Sequence, residues 1–270
     1  MNTPRTVLTI AGSDSGGGAG IQADIKTISA MGCYATSAVT AITVQNTLGV
    51  QAVHLVPPDI VRKQIEAVLS DIGADAVKTG MLGSAEAVRE IGIALRNHRV
   101  QTLVLDPLMY STSGHPLTDQ SAIDAICTHL IPLATLITPN IPEAEILLDG
   151  TKLTAQSDLP EAARQLASKY GVSVLIKAGH LPNPTLTDYL YDITARETVP
   201  LPSQRVDTRN THGTGCTLAS AIAAALAKGE TLTHAVQSAK KYLAAAINAG
   251  AELNIGHGHG PVCHFYELCK

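Results

Sequence analysis

Short apolar runs that stop at glycine, proline or asparagine alternate along this chain with amphipathic stretches of helical period. "RTVLTIAG", "VQTLVLDP", "ATLITPN" and "VSVLIKAG" are of the first kind. Runs this brief and this uniformly apolar predict strands of a parallel sheet buried on both faces. Of the second kind are "IQADIKTISAMG", closing on Gly32, "PDIVRKQIEAVLSDIG", opened by prolines, and "SAEAVREIGIALRNH", with Ser84 as N-cap. These predict helices, and their alternation with strands predicts a doubly wound α/β sheet covered by helices. "ATSAVTAITVQN" and "VQAVHLV" follow each other with no helix between, as do "DYLYDIT" and "ETVPLP", so each pair is expected to form an edge hairpin or small flap. With no repeat, low-complexity tract or linker, the expectation is a single domain over residues 1–270.

Composition narrows the class. A chain of 270 residues, 45% hydrophobic, can bury the core of one large α/β domain. Its net charge is -4 with lysines and arginines scattered among the acids, which excludes a basic stripe and argues against nucleic acid as a partner. "MNTPRTVLTIAGSD" reaches glycine after a few apolar residues, and no later run approaches a bilayer span, so a cytoplasmic protein with no membrane partner is expected. Five cysteines, Cys33, Cys127, Cys216, Cys263 and Cys269, are an odd number with no CxxC pair; free thiols are expected rather than disulfides or a zinc knuckle.

Ligands of open α/β sheets bind beyond the carboxyl ends of the strands, and there this sequence turns polar. "AGSDSGGGAG" carries Gly16, Gly17, Gly18 and Gly20, enough for a backbone to approach a ligand, yet it lacks the lysine of a Walker loop and the spacing of a GxGxxG fingerprint. Asp106 ends "VQTLVLDP", and Asn140 and Glu143 stand three apart where a helix begins. Oxygen donors gathered at strand ends suit Mg²⁺ and its phosphates; Asn140 and Glu143 fit equally well as an N-terminal capping box. Lys177 closes "VSVLIK" where an ammonium meets a nucleotide phosphate or a salt-bridge partner.

The stretch "NTHGTGCTLASAIAAALAKG" runs a small-residue loop into an alanine-rich helix. Successive N–H groups of Gly213, Thr214, Gly215 and Cys216 at a helix N-terminus favour an anion such as a phosphoryl group in transfer; a plain glycine turn capped by Thr211 or Thr214 is the simpler alternative. Cys216 in that first turn is expected to have its thiolate stabilised, its pKa falling toward neutrality, and so to serve as general base for an alcohol attacking a γ-phosphate. Cys216 as covalent nucleophile with His212 as its base, making a hydrolase or transferase, is the competing reading.

"AGSDSGGGAGIQADIKT", "TVQNTLGV", "KTGML", "VLDPLM", "TPNIPEAE", "KAGH", "NTHGTGCT" and "GHGHGPVCHF" occur in this order over nearly the whole chain. Together they resemble the hydroxymethylpyrimidine/phosphomethylpyrimidine kinase family of thiamine biosynthesis, a branch of the ribokinase superfamily. The resemblance implies a ribokinase-like three-layer α/β/α fold, ATP with Mg²⁺, a small-molecule pyrimidine substrate phosphorylated twice, and a homodimer. It implies Cys216 as catalytic base and Gly213, Thr214, Gly215 and Cys216 as anion hole. Gly12, Asp24, Gln45 and Met81 would hold the aminopyrimidine, Asp106 and Glu143 would lie near Mg²⁺ and phosphate, and Asn140, Lys177 and Lys240 near the nucleotide.

This chain departs from the family's usual pattern at Ser15 and Gly16, at Ala178, and at Thr112, where a lysine often stands. Loss of that lysine implies a weaker second phosphorylation. His257, His259, Cys263 and His264 in the tail lack zinc-ligand spacing, so no zinc site is expected, and His180 and His212 are read as loop hydrogen-bonding residues. Two further functions stay open: a pyridoxine or pyridoxal kinase, and a sensor that binds pyrimidine and nucleotide without turnover.

Overall fold

In a computed structural model, residues 3–109, 119–179, 181 and 183–268 are described; Thr112, His180 and Cys269 lie outside them. Strands β1 (Thr6–Ser13), β2 (Tyr34–Asn46), β3 (Gly49–Leu55), β4 (Ala76–Thr79), β5 (Leu103–Leu105), β6 (Leu136–Ile137), β7 (Ser173–Ile176), β8 (Thr185–Asp192) and β9 (Glu197–Gln204) make one sheet. Its order is β3-β2-β1-β4-β5-β6-β7-β8-β9. The six central strands are parallel; β3 at one edge and β8 and β9 at the other are antiparallel. Those antiparallel additions are the two expected hairpins.

Strand side chains alternate between two cores, as the period of two requires. Leu8, Ile10, Val77, Leu103, Leu105, Ile137, Val174 and Ile176 face one cluster, built with helices α2 (Pro58–Asp71), α3 (Ala85–Asn97), α4 (Gln120–His129), α5 (Ile141–Leu147) and α6 (Leu159–Tyr170). Val7, Ala76, Val104, Leu136 and Leu175 face the other, built with α1 (Gly20–Ala30), α7 (Thr214–Ala227) and α8 (Leu232–Gly250). Three layers result, the expected ribokinase-like arrangement. Ser84 caps α3 by accepting the Ala87 N–H.

Two elements matter most for the site. Helix α7 buries eleven of its fourteen residues, packing on α1, α8, β1, β4 and β5; its alanines allow close approach on every side while keeping helix propensity high. Strand β4, "AVKT", has no counterpart among the strands expected from the sequence. A lysine interrupts its apolar run, yet Lys78 is fully buried.

Candidate active site

Strand β1 pairs with β2 on one side and β4 on the other, so the order of connections reverses beside it and opens a crevice at the carboxyl ends. The loop after β1 is organised by Asp14. Its Oδ1 accepts the N–H of Gly16 at 2.8 Å, and its Oδ2 accepts those of Gly18 and Ala19 at 3.0 and 2.8 Å. The His212 ring adds a bond from Nε2 at 2.9 Å. Burial opposes ionisation of Asp14, but these bonds and the His212 charge outweigh it and hold the carboxyl below its usual range. His212 thus bonds within the loops, as expected. It also ties the first loop to the segment that starts α7, and there the backbones meet: a Cβ on Gly213, at φ 81°, would sit 1.9 Å from the Gly18 carbonyl oxygen. Only glycine fits.

Gly213 is the left-handed N-cap of α7, with no side-chain cap. Helix geometry leaves the first N–H groups of α7 without intrahelical acceptors, directed at the crevice with the positive end of the helix dipole. Around them the other strand ends converge. A Cβ on Gly215 would lie 3.5 Å from both Asp106 Oδ2 and Lys177 Nζ. Asp106 spends Oδ1 on the Thr138 hydroxyl at 2.9 Å and the Lys177 ammonium at 2.8 Å, while its buried Oδ2 has no hydrogen-bond partner among the described residues. Burial opposes the charge of Lys177, but Asp106 and Glu143 more than offset it and raise its pKa. An orphaned carboxylate oxygen beside an anion hole fits a hard cation that also touches phosphate.

Two expectations need correction. The Cys216 thiol is not poised near neutrality: it is buried, and desolvation pushes it up to about 11, with Lys78 pulling down and Asp24 and Asp106 pushing up. The helix N-terminus alone does not compensate for burial. Asp24 does not face the crevice. It is fully buried, with Oδ1 accepting from Lys78 Nζ and Ser220 Oγ at 2.8 and 2.7 Å and Oδ2 from Lys78 Nζ and Thr9 Oγ1 at 2.8 and 2.6 Å, so no lone pair is left for a ligand. Glu143 also forms the capping box: it accepts the Asn140 N–H at 2.8 Å and the Met109 N–H at 3.3 Å, one bond on each oxygen, while Asn140 Oδ1 accepts the Glu143 N–H at 2.9 Å. Burial pushes its carboxyl up, Lys177 opposing and Asp106 adding. Both acids expected near Mg²⁺ stand beside Lys177, and Asp106 Oδ2 is the carboxylate oxygen with no partner among the described residues.

The remaining residues fall as follows. Gly12 and Met81 adjoin, a Cβ on Gly12 meeting Met81 Sδ at 3.3 Å, and Gln45 reaches His212 across the crevice at 3.3 Å. Lys240 Nζ is held by Asp188 Oδ2 at 2.6 Å and Ser203 at 3.3 Å, and Asp188 also accepts the Ala178 N–H, so Lys240 braces the strand end that carries Lys177. The tail folds over both loops: Asn210 Nδ2 donates to the Gly250 and Leu253 carbonyls at 2.8 Å each, the His259 N–H bonds the Thr47 carbonyl at 2.9 Å, and His264 meets Thr217 Oγ1 at 3.1 Å. Burial, Lys26 and His212 lower the His264 pKa to about 4. Asp14, Thr43, Lys78 and Thr138 were not foreseen as site residues; a lysine inside an otherwise apolar strand was the available signal for one of them.

Fold and site together define a ribokinase-like small-molecule kinase scaffold. It superposes with TM-score 0.89 on Staphylococcus aureus pyridoxal kinase in complex with AMP-PCP and pyridoxal, 35% identical, covering 99% of this chain and 96% of that one. The family profile described as phosphomethylpyrimidine kinase matches residues 14–263, and the chain belongs to that family. A hydroxymethylpyrimidine/phosphomethylpyrimidine kinase of Rhizobium meliloti is 47% identical over 263 residues, 97% of this chain and 98% of that one. A probable thiamine biosynthetic bifunctional enzyme of rice is 47% identical over 264 residues, 97% of this chain. The chain spans about half the length of that bifunctional relative, 48% of it.

Proposed function

We propose that this chain, as a single kinase domain, transfers the γ-phosphoryl group of ATP to the hydroxyl of 4-amino-5-hydroxymethyl-2-methylpyrimidine, and then to the resulting monophosphate, in thiamine biosynthesis. The observation that carries the proposal is the convergence around Gly215 of the α7 N-terminus, the Lys177 ammonium and Asp106 Oδ2, which has no partner among the described residues. Backbone donors and a fixed cation aimed at one point stabilise the charge that develops on a phosphoryl group in transfer. Mg²⁺ held on Asp106 would neutralise phosphate charge there.

Cys216 Sγ is the proposed acceptor of the hydroxyl proton as the oxygen–phosphorus bond forms and the bond to the leaving ADP oxygen breaks. With its thiol pushed up to about 11, the first transfer starts from a minor thiolate form, which the nearby Lys78 charge favours. A phosphate acceptor is already ionised near neutral pH and needs no such base. Gln45, Gly12 and Met81 form the side of the crevice assigned to the pyrimidine; the Gln45 amide offers donor and acceptor together to an exocyclic amine and ring nitrogen.

A cytoplasmic location and a homodimer complete the reading. No helix among the described residues is long and apolar enough to cross a membrane. Ile42, Val44, Val53 and Leu55 stand exposed on the β2–β3 hairpin, an apolar surface of the kind a second copy covers. Phosphorylation of pyridoxine or pyridoxal is the second reading, favoured by the pyridoxal-bound neighbour. The test is mass spectrometry of products from ATP, Mg²⁺ and an equimolar mixture of the hydroxymethylpyrimidine and pyridoxine. Mono- and diphosphorylated pyrimidine is the expected result; dominant pyridoxine phosphate would move the assignment to the second reading, and no product would end both.

A further inference from the structure

Gln45 lies between two polar neighbours whose hydrogens are already committed. Its Oε1 is 3.2 Å from Thr43 Oγ1, and its Nε2 is 3.3 Å from His212 Nε2. Thr43 has one hydroxyl proton, and that proton points to the Ser13 carbonyl oxygen at 2.8 Å; a carbonyl only accepts, so toward Gln45 the Thr43 oxygen is an acceptor. His212 Nε2 carries at most one hydrogen, and at 2.9 Å from Asp14 Oδ2 that hydrogen belongs to the carboxylate. Asp14 is an acceptor in every other contact it makes through its side chain, with Gly16, Gly18 and Ala19. Toward Gln45, then, His212 is a donor.

Both contacts of the amide therefore set like against like, oxygen facing an acceptor and NH₂ facing a donor. A half-turn of the amide about its last torsion exchanges its two heavy atoms without changing its shape and corrects both contacts at once. After it, the NH₂ donates to Thr43 and the oxygen shares the His212 N–H. The backbone does not change: the Gln45 N–H bonds Ser15 Oγ at 2.9 Å, and Ser15 donates back to the Gln45 carbonyl at 2.7 Å, which pins the residue at the bulge in β2.

We infer that Thr43 and the Asp14–His212 pair are positioning residues that lock the Gln45 amide with its oxygen toward His212 and its nitrogen toward Thr43. They thereby fix the donor–acceptor order by which the site reads a heteroaromatic amine. One amide N–H and one oxygen lone pair remain free, in a set order, for a ring nitrogen and the exocyclic NH₂ beside it. This inference rests on the aminopyrimidine reading above for its ligand, though not for the orientation itself.

Two measurements test it. In the ligand-free, isotopically labelled protein, nuclear Overhauser contacts of the Gln45 side-chain NH₂ are expected to Thr43 and not to the His212 ring; the reverse pattern overturns the inference whatever the enzyme's substrate proves to be. Kinetics then compare the hydroxymethylpyrimidine with its analogue lacking the 4-amino group. Thr43→Val and His212→Phe should each lower kcat/KM for the amine by about 10-fold through KM, the loss expected for one misdirected hydrogen bond. The same variants should change the desamino analogue by less than about 2-fold, and Thr43→Ser should restore the preference. Equal losses on both compounds, or no recovery in Thr43→Ser, would mean the two side chains are only structural. If the unaltered enzyme phosphorylates neither compound, the proposed function fails while the Overhauser pattern still decides the orientation.

Discussion

Two aspartate–lysine pairs flank the start of α7, and they differ in how completely they are satisfied. Lys78 and Asp24 are fully buried, and Asp24 has four hydrogen bonds on its two oxygens. Lys177 and Asp106 form an ion pair of similar length, 2.8 Å, but Lys177 keeps 15% of its side chain exposed and Asp106 Oδ2 has no partner among the described residues. A saturated carboxylate can accept nothing further; with Lys78 it fixes the geometry and field around Cys216. An unsaturated one is incomplete until a ligand arrives. The same residue types on either side of the α7 start thus divide into a foundation and a binding surface.

The largest effect that would break this contrast comes from the sealed pair. Lys78→Met leaves a buried carboxylate uncompensated and should cost about 3–5 kcal/mol of stability, measured by urea unfolding, whereas Lys78→Met with Asp24→Leu should recover most of it. If the single change is harmless, the pair is not sealed. On the open side, Asp106→Asn should lower kcat by about 100- to 1,000-fold, in the range of losing one aligned charge-stabilising group. Its unfolding free energy should change far less than that of Lys78→Met.

Cys216 lies between the pairs and reports on their field. Its folded pKa is raised from 9.0 to about 11, so the folded protein holds a proton that the unfolded chain releases across that interval. Stability attributable to it is complete below pH 9 and should fall by about 3 kcal/mol by pH 11. Subtracting the stability curve of Cys216→Ser from that of the unaltered protein measures it, and a flat difference would mean the thiolate is far better accommodated than its burial implies. The smallest effect is at α5. Asn140→Ala should lose about 1 kcal/mol of stability, as for other N-caps, with kcat changed less than about 3-fold; a much larger loss of activity would place Asn140 in the nucleotide site.

How much of this was legible in the sequence depends on what each residue's role requires. Layers, hairpins and the α7 loop were readable because period and glycine placement are local properties. Asp106 and Lys177 were readable because strand ends announce themselves by an apolar run that stops. Asp24 was misassigned because a carboxylate in an amphipathic helix looks alike whether it faces a crevice or a buried ammonium 54 positions away. Strand β4 was missed for the complementary reason: the lysine that partners Asp24 makes four residues look too polar for a central strand. The pKa of Cys216 went astray because a helix N-terminus can be read locally, while desolvation depends on what packs above it. Asn140 and Glu143 offered two readings at one spacing, and the bonds show the capping box.

The contact between Gly213 and Gly18 joins segments almost two hundred positions apart, and it sets an order of events during synthesis. The first loop and β1 leave the ribosome before α7, but the N–H groups that complete the crevice arrive only once α7 has emerged. Until then the faces of β1, β4 and β5 that α7 covers have nothing against them. Closing so long a loop is slow because its entropy must be lost before any contact compensates. Between β1 and α7 the nascent chain therefore carries one core without its cover, and the active site exists only once α7 has been made.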